Sequence, residues 1–115
     1  MARLRSDIWV AAYLRRVEIE GAFAALRRRG AAEAGAIFVK VDRLDGRAAL
    51  FGPAPQTEVA ELGVERLWAR AHKEEWVDAA AIEARVAREI AFDSDLWLIE
   101  VEDRAGRSWL DLAPT

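Results

Sequence analysis

Cysteine is absent from this chain of 115 residues. Disulfides, thiolate metal sites and cysteine nucleophiles are therefore excluded, and the chain suits a reducing compartment. Uncharged polar residues are almost as scarce. There is no asparagine; Ser6, Ser94 and Ser108 are the only serines, Thr57 and Thr115 the only threonines, and Gln56 the only glutamine. Such groups usually orient a substrate, so their scarcity argues against an enzyme. Apolar runs such as Ile8 to Leu14 are far too short to span a membrane. Arg3 and Arg5 could open a signal peptide, but Asp7 interrupts it and Arg15 and Arg16 close the apolar stretch early. The expectation is a soluble cytoplasmic protein that inserts into no membrane.

What is present fits one packed domain over residues 1–115. Hydrophobic residues make up 53% and charged residues 32%, the balance of an apolar core under a charged shell. The net charge of −3 hides an asymmetry, with residues 1–30 basic, 31–56 balanced and 57–115 acidic. The simplest use is internal, a basic element lying beside an acidic one. The sharper use is a basic face for phosphates or an acidic partner.

The periodicity predicts a helix over 7–20, with Asp7 as N-cap, Val10, Leu14 and Val17 on one face, and Gly21 as the stop. Trp9 and Tyr13 form a second stripe beside the first. Residues 22–29 fit helix or strand and are read as strand, because two glycines bracket only eight residues. Gly35 to Val41 is the clearest strand. Asp45-Gly46 then turns the chain into an antiparallel return over Arg47 to Phe51, ended by Gly52-Pro53. Thr57 could cap a short helix through Leu62, and Val64 to Ala71 fits helix or edge strand. A second helix spans 78–91, capped by Asp78, with Val77 stapled onto Ile82. Leu96 to Val101 is a strand, and Ser108 to Leu112 could pair back on it through an Ala105-Gly106 hairpin. These elements predict an α+β fold: a small antiparallel sheet of about five strands, covered on one face by two main helices.

The sequence carries no pattern of a known chemistry, so no catalytic, cofactor-binding or metal-ligating residue is assigned and no cofactor is expected. His72 stands alone in a charged run and reads as surface. Asp93-x-Asp95 opens like a calcium loop, but Trp97 and Arg104 occupy the positions of later ligands. No serine sits in a Gly-x-Ser-x-Gly elbow, and no phosphate loop exists. Five tryptophans (9, 68, 76, 97 and 109) are many for this length. Most are read as packing, with Trp9 and Trp109 the candidates for an interface.

Several segments carry a resemblance: Ser-Asp-Ile-Trp-Val at 6–10, Arg-Arg-Gly at 28–30, Ala-Gly-Ala-Ile-Phe-Val-Lys-Val at 34–41, Arg-Leu-Asp-Gly at 43–46, Gly-Pro-Ala-Pro at 52–55, Phe-Asp-Ser-Asp-Leu-Trp at 92–97 and Glu-Val-Glu-Asp at 100–103. Together they resemble a family of small bacterial proteins of about this length, catalogued as a domain of unknown function. The resemblance implies a free-standing small bacterial protein and carries no activity, cofactor or site onto any residue.

The favoured reading is a non-enzymatic protein-interaction or regulatory module, self-associating as a homodimer and binding a protein partner not yet identified. One alternative is a nucleic-acid binder through Arg15, Arg16, Arg27, Arg28 and Arg29. The negative net charge makes nucleic acid unlikely, as does the alternation of faces along a strand at 22–29. The other alternative is a small enzyme holding an anionic substrate with those arginines.

Overall fold

A computed structural model describes residues 4–55 and 66–114. In chain order the elements are α1 (Ser6–Ile19), β1 (Phe23–Arg28), β2 (Ile37–Asp42), β3 (Arg47–Pro53), β4 (Trp68–Arg70), β5 (Val77–Asp78), α2 (Ala79–Phe92) and β6 (Trp97–Glu102). The expected helix at 57–62 lies outside the described residues. The ambiguous segments resolve as strand at 23–28 and at 68–70. No helix among the described residues is long and apolar enough to cross a membrane.

The α+β class is as expected, but the sheet is mixed. Its order is β1-β6-β2-β3-β4, with β5 also on β3. β6 pairs antiparallel with β1 and parallel with β2. A parallel pair needs a long crossover, and the stretch between β2 and β6, which contains α2, supplies it. The two helices also lie on opposite faces, not on one. Val10, Tyr13 and Val17 of α1 pack with Ile37, Val39, Val41, Trp97, Ile99 and Val101. Ile82 and Val86 of α2 pack on the other face, with Ala48, Leu50, Leu96 and Leu98. The reason is legible in β6. A strand with one wet face alternates apolar and polar, whereas Trp97-Leu98-Ile99 is apolar on both sides and needs cover on both.

Local chemistry accounts for the smaller departures. Arg5 holds the N-cap position of α1, and Asp7 lies in the first turn, where its carboxylate accepts from Ile8 N–H at 2.9 Å and from Arg5 Nε at 3.2 Å. Tyr13, 4% exposed, is buried more deeply than Leu14 in the helix stripe. Asp78 is the N-cap of α2, but its carboxylate pairs with Arg47 at 3.0 Å instead of a helix amide. Gly52 and Pro53 belong to β3 and pair with Ala69 and Trp68.

Ser108 to Leu112 does not return along β6, because β1 and β2 already occupy both sides of that strand. It runs instead to the far edge. There Trp68 N–H donates to Asp111 O at 2.9 Å, and Ala113 N–H donates to Trp68 O at 2.8 Å. The chain's own C-terminal segment thus covers β4, while β1 forms the opposite edge of the sheet.

Candidate functional site

The outer stripe of α1 carries Trp9, Tyr13 and Arg16, which share one side of the helix by their spacing of four and three. β4 brings Trp68 against this stripe, and the C-terminal segment brings Trp109. The Trp9 ring stacks on Tyr13 at 4.9 Å and 13°, and meets Trp68 at 4.9 Å and 37°. Together they wall a cavity of about 260 Å³, lined also by Trp109, Arg16, Arg66 and Asp111. The Arg66 guanidinium lies 5.9 Å from the Trp9 ring, and that of Arg107 lies 4.8 Å from Trp109.

Two features fix the walls. The Tyr13 hydroxyl donates to Ser108 O at 2.7 Å, and burial raises its pKa, so the phenol remains a neutral donor. Trp109 has φ +55°, a left-handed conformation that a bulky residue adopts only under constraint. The constraint comes from Tyr13 holding Ser108, whose hydroxyl accepts from Leu110 N–H at 3.3 Å. The result is a concave surface of indole and phenol faces, lined also by exposed Arg16 and by buried Arg66, whose Nη2 donates to Leu4 O at 2.9 Å. A surface of this kind can take up an apolar or aromatic side chain, and the exposed guanidinium of Arg16 can pair with a carboxylate beside it.

A second cluster lies on the α2 face of the sheet. Lys40, only 5% exposed, places Nζ 2.6 Å from Glu83 Oε2, 3.7 Å from Glu100 Oε2 and 3.8 Å from Asp42 Oδ2. Arg27 grips both oxygens of Glu83 at 2.8 Å and reaches Glu100 at 3.0 Å. Arg27, and then Lys40, hold the Glu83 carboxyl at about 2, well below the ordinary carboxylate range. Two cations and three carboxylates satisfy one another here, so the cluster reads as a clamp between α2 and the sheet. Among the described residues, no three histidine, aspartate or glutamate side chains gather as metal ligands.

The structure brings Trp9 and Trp109 to the same cleft, but it does not bring the five arginines together. Arg15 is exposed on α1, and Arg16 lines the cleft. Arg27 is bound to Glu83 and Glu100. Arg28 donates to Ser94 O at 2.8 Å, and Arg29 lies 5.2 Å from the Trp97 ring. His72 is half-buried and structural: Nε2 accepts from Leu50 N–H at 3.0 Å, which leaves Nδ1 to donate to Glu74 O at 2.7 Å.

Sequence reasoning did not pick out Trp68 and Arg66, which sit in a stretch with no clear period. It also passed over the Lys40 cluster. The available signal was a lysine in the middle of Ile-Phe-Val-Lys-Val, since a charge inside an otherwise apolar strand needs a buried partner.

The fold recurs in solved structures. A protein from Caulobacter crescentus CB15, described by its crystal structure as a DUF1491 family protein, is 37% identical with a TM-score of 0.80, and the match covers 98% of this chain and 100% of that one. The solution structure of Atu0922 from A. tumefaciens is 39% identical with a TM-score of 0.80, over 99% of this chain and 98% of that one. No curated protein matches the chain. The model of the DUF1491 family, described as a protein of unknown function, matches residues 4–111. With nearly the whole length matched in both sequence and fold, the chain belongs to the DUF1491 family.

Proposed function

We propose that the protein is a non-enzymatic interaction module of the cytoplasm that receives a side chain of a partner protein in the Trp9–Tyr13–Trp68–Trp109 cleft. The observation that carries this reading is the convergence of three of the five tryptophans on one concavity that Arg16 and Arg66 also line. Tryptophan, tyrosine and arginine supply most binding energy at protein interfaces, above all in fixed pockets. The strained backbone at Trp109 supports a functional use, because strain of this kind persists where a surface must be held ready. The nucleic-acid reading loses ground because Arg27, Arg28 and Arg29 are engaged by the protein's own groups at three separate places.

Panning a displayed peptide library tests the proposal. Peptides carrying an aromatic or large apolar residue beside Asp or Glu should be enriched on the wild-type protein. They should lose at least about tenfold in affinity on Trp109→Gly, as expected for a residue at the centre of a binding pocket. Enrichment of peptides that bind Trp109→Gly and Trp9→Ala equally well would place recognition elsewhere.

A further inference from the structure

The sheet treats its two edges differently. The chain's own C-terminal segment covers β4, and β1 has no such cover among the described residues. Exposed edges are guarded by proline, by charges or by bulges. β1 keeps its one irregularity and its charges at the Arg27–Arg28 end, and carries neither proline nor charge from Phe23 to Leu26. Its sequence is Phe-Ala-Ala-Leu-Arg-Arg, and both arginines turn back onto their own sheet, Arg27 to Glu83 and Glu100 and Arg28 to Ser94 O. What remains outward is apolar, with Phe23 57% and Leu26 38% exposed. Ile8 of α1, 50% exposed, shares a groove with Leu26 on the α1 face.

We infer that β1 pairs antiparallel with β1 of a second copy, joining two sheets edge to edge around a two-fold axis. The strand's side chains identify a second copy as the occupant. Opposed residues in an antiparallel pair share a face, so a two-fold pair must centre on one residue facing itself. Ala24 and Leu26 pair with Val101 and Ile99 on the α1 face, while Phe23 and Ala25 pair with Glu102 and Glu100 on the α2 face. Centring the pair on Ala25 sets the small residue against itself. Leu26 of each copy then falls against Ala24 of the other, and Phe23 falls against the stem of Arg27. Large meets small at each step, and no two like charges face each other. The pairing ends where β1 slips register on β6, between Leu26 and Arg28. This surface is separate from the aromatic cleft. The cleft is lined from α1, β4 and the C-terminal segment, and β4 lies at the opposite edge of the sheet from β1, so Trp9 and Trp109 remain available to a different partner.

The absence of cysteine gives a clean test. Ala25→Cys places one thiol opposite its own copy, within the Cα separation a disulfide accepts. Under mild oxidation it should become a covalent dimer much faster than a control thiol at exposed Ala87. Sedimentation of the wild-type chain should show a monomer–dimer equilibrium. Phe23→Lys with Leu26→Lys should weaken it at least about tenfold without unfolding the protein, because charges on an edge oppose strand addition. The inference is overturned by a wild-type monomer at hundreds of micromolar, by a dimer that the lysine pair leaves intact, or by Ala25→Cys coupling no faster than the control. A dimer lost in Trp109→Gly but kept in the lysine variant would move self-association to the cleft and overturn it as well.

Discussion

Lys40 Nζ lies 2.6 Å from Glu83 Oε2, and this contact ties the centre of β2 to the first turns of α2. The ammonium is buried, while the Glu83 carboxylate is partly open to water and shared with Arg27. The two partners therefore stand in unequal positions, and their substitutions should behave unequally.

Truncating the acid should cost more than neutralising the lysine. Glu83→Ala leaves Lys40 and Arg27 without their shortest carboxylate contact, and should cost about 2–3 kcal/mol, toward the lower end for a broken buried pair because Glu83 is partly exposed. Lys40→Met keeps the apolar stem and leaves Glu83 in the grip of Arg27. It should cost less, about 1–2 kcal/mol, because removing one partner of a pair is costly chiefly when the other is left buried and unpaired, and here Glu83 and Glu100 keep Arg27 and all three carboxylates are partly exposed. Urea melts of both variants and the double mutant measure the coupling; equal losses in the single variants would contradict the asymmetry.

The same carboxylate should set part of the acid limb of stability. Glu83 is held at about 2 in the folded chain against an ordinary 4.5. A depressed carboxyl stabilises the fold above its unfolded value, and the contribution is lost as the pH falls from about 4.5 through about 2. Wild-type stability should therefore drop across that window more steeply than that of Glu83→Gln. Parallel curves for the two proteins would show that Glu83 contributes nothing to acid sensitivity.

Gly30 should tolerate no side chain. A Cβ there would meet Asp95 O, and would lie 2.6 Å from both Leu96 C and Trp97 Cδ1, a clash with backbone at the start of β6. Gly30→Ala should cost more than about 2 kcal/mol, as overpacking of a close approach does. Gly46 has open space around it but a φ of +85°, so Gly46→Ala should cost only about 1 kcal/mol. Thermal melts that reverse this order would count against the close approach.

Leu44 offers the opposite case. It sits in the β2–β3 turn at φ +66° with 45% of its surface exposed. Its N–H donates to Asp42 Oδ1 at 2.7 Å, a bond that any residue other than proline can make. Leu44→Asn should stabilise the protein by about 0.5–1 kcal/mol, because asparagine visits the left-handed region with less strain. A lower midpoint in denaturant would mean that the leucine side chain contributes packing despite its exposure.

The sequence showed elements more clearly than their assembly. The period of four in Ile82, Val86 and Ile90 and the β-branched run at 37–41 mark α2 and β2, and Gly21 and Gly46 both adopt the positive φ that turns require. Topology was harder to see. Alternation along β2 separates Lys40 from Val39 and Val41, but its partner Glu83 lies 43 residues away and no local pattern links the two. Ser108 to Leu112 looks like a returning strand because nothing local shows that β6 has no free side. The cleft was half legible: Trp9 and Trp109 stood out as surface aromatics, while their meeting through Trp68 depends on the strand order alone.

The position of β6 has a consequence for synthesis. It is the last strand of the chain, yet it lies between β1 and β2. Until residue 102 leaves the ribosome, the two halves of the sheet have no common member, and apolar surface stays exposed on both faces, meant for Trp97, Ile99 and Val101 under α1 and for Leu96 and Leu98 under α2. The nascent chain must wait with its centre open, and a ribosome stalled short of β6 would release a product primed to aggregate.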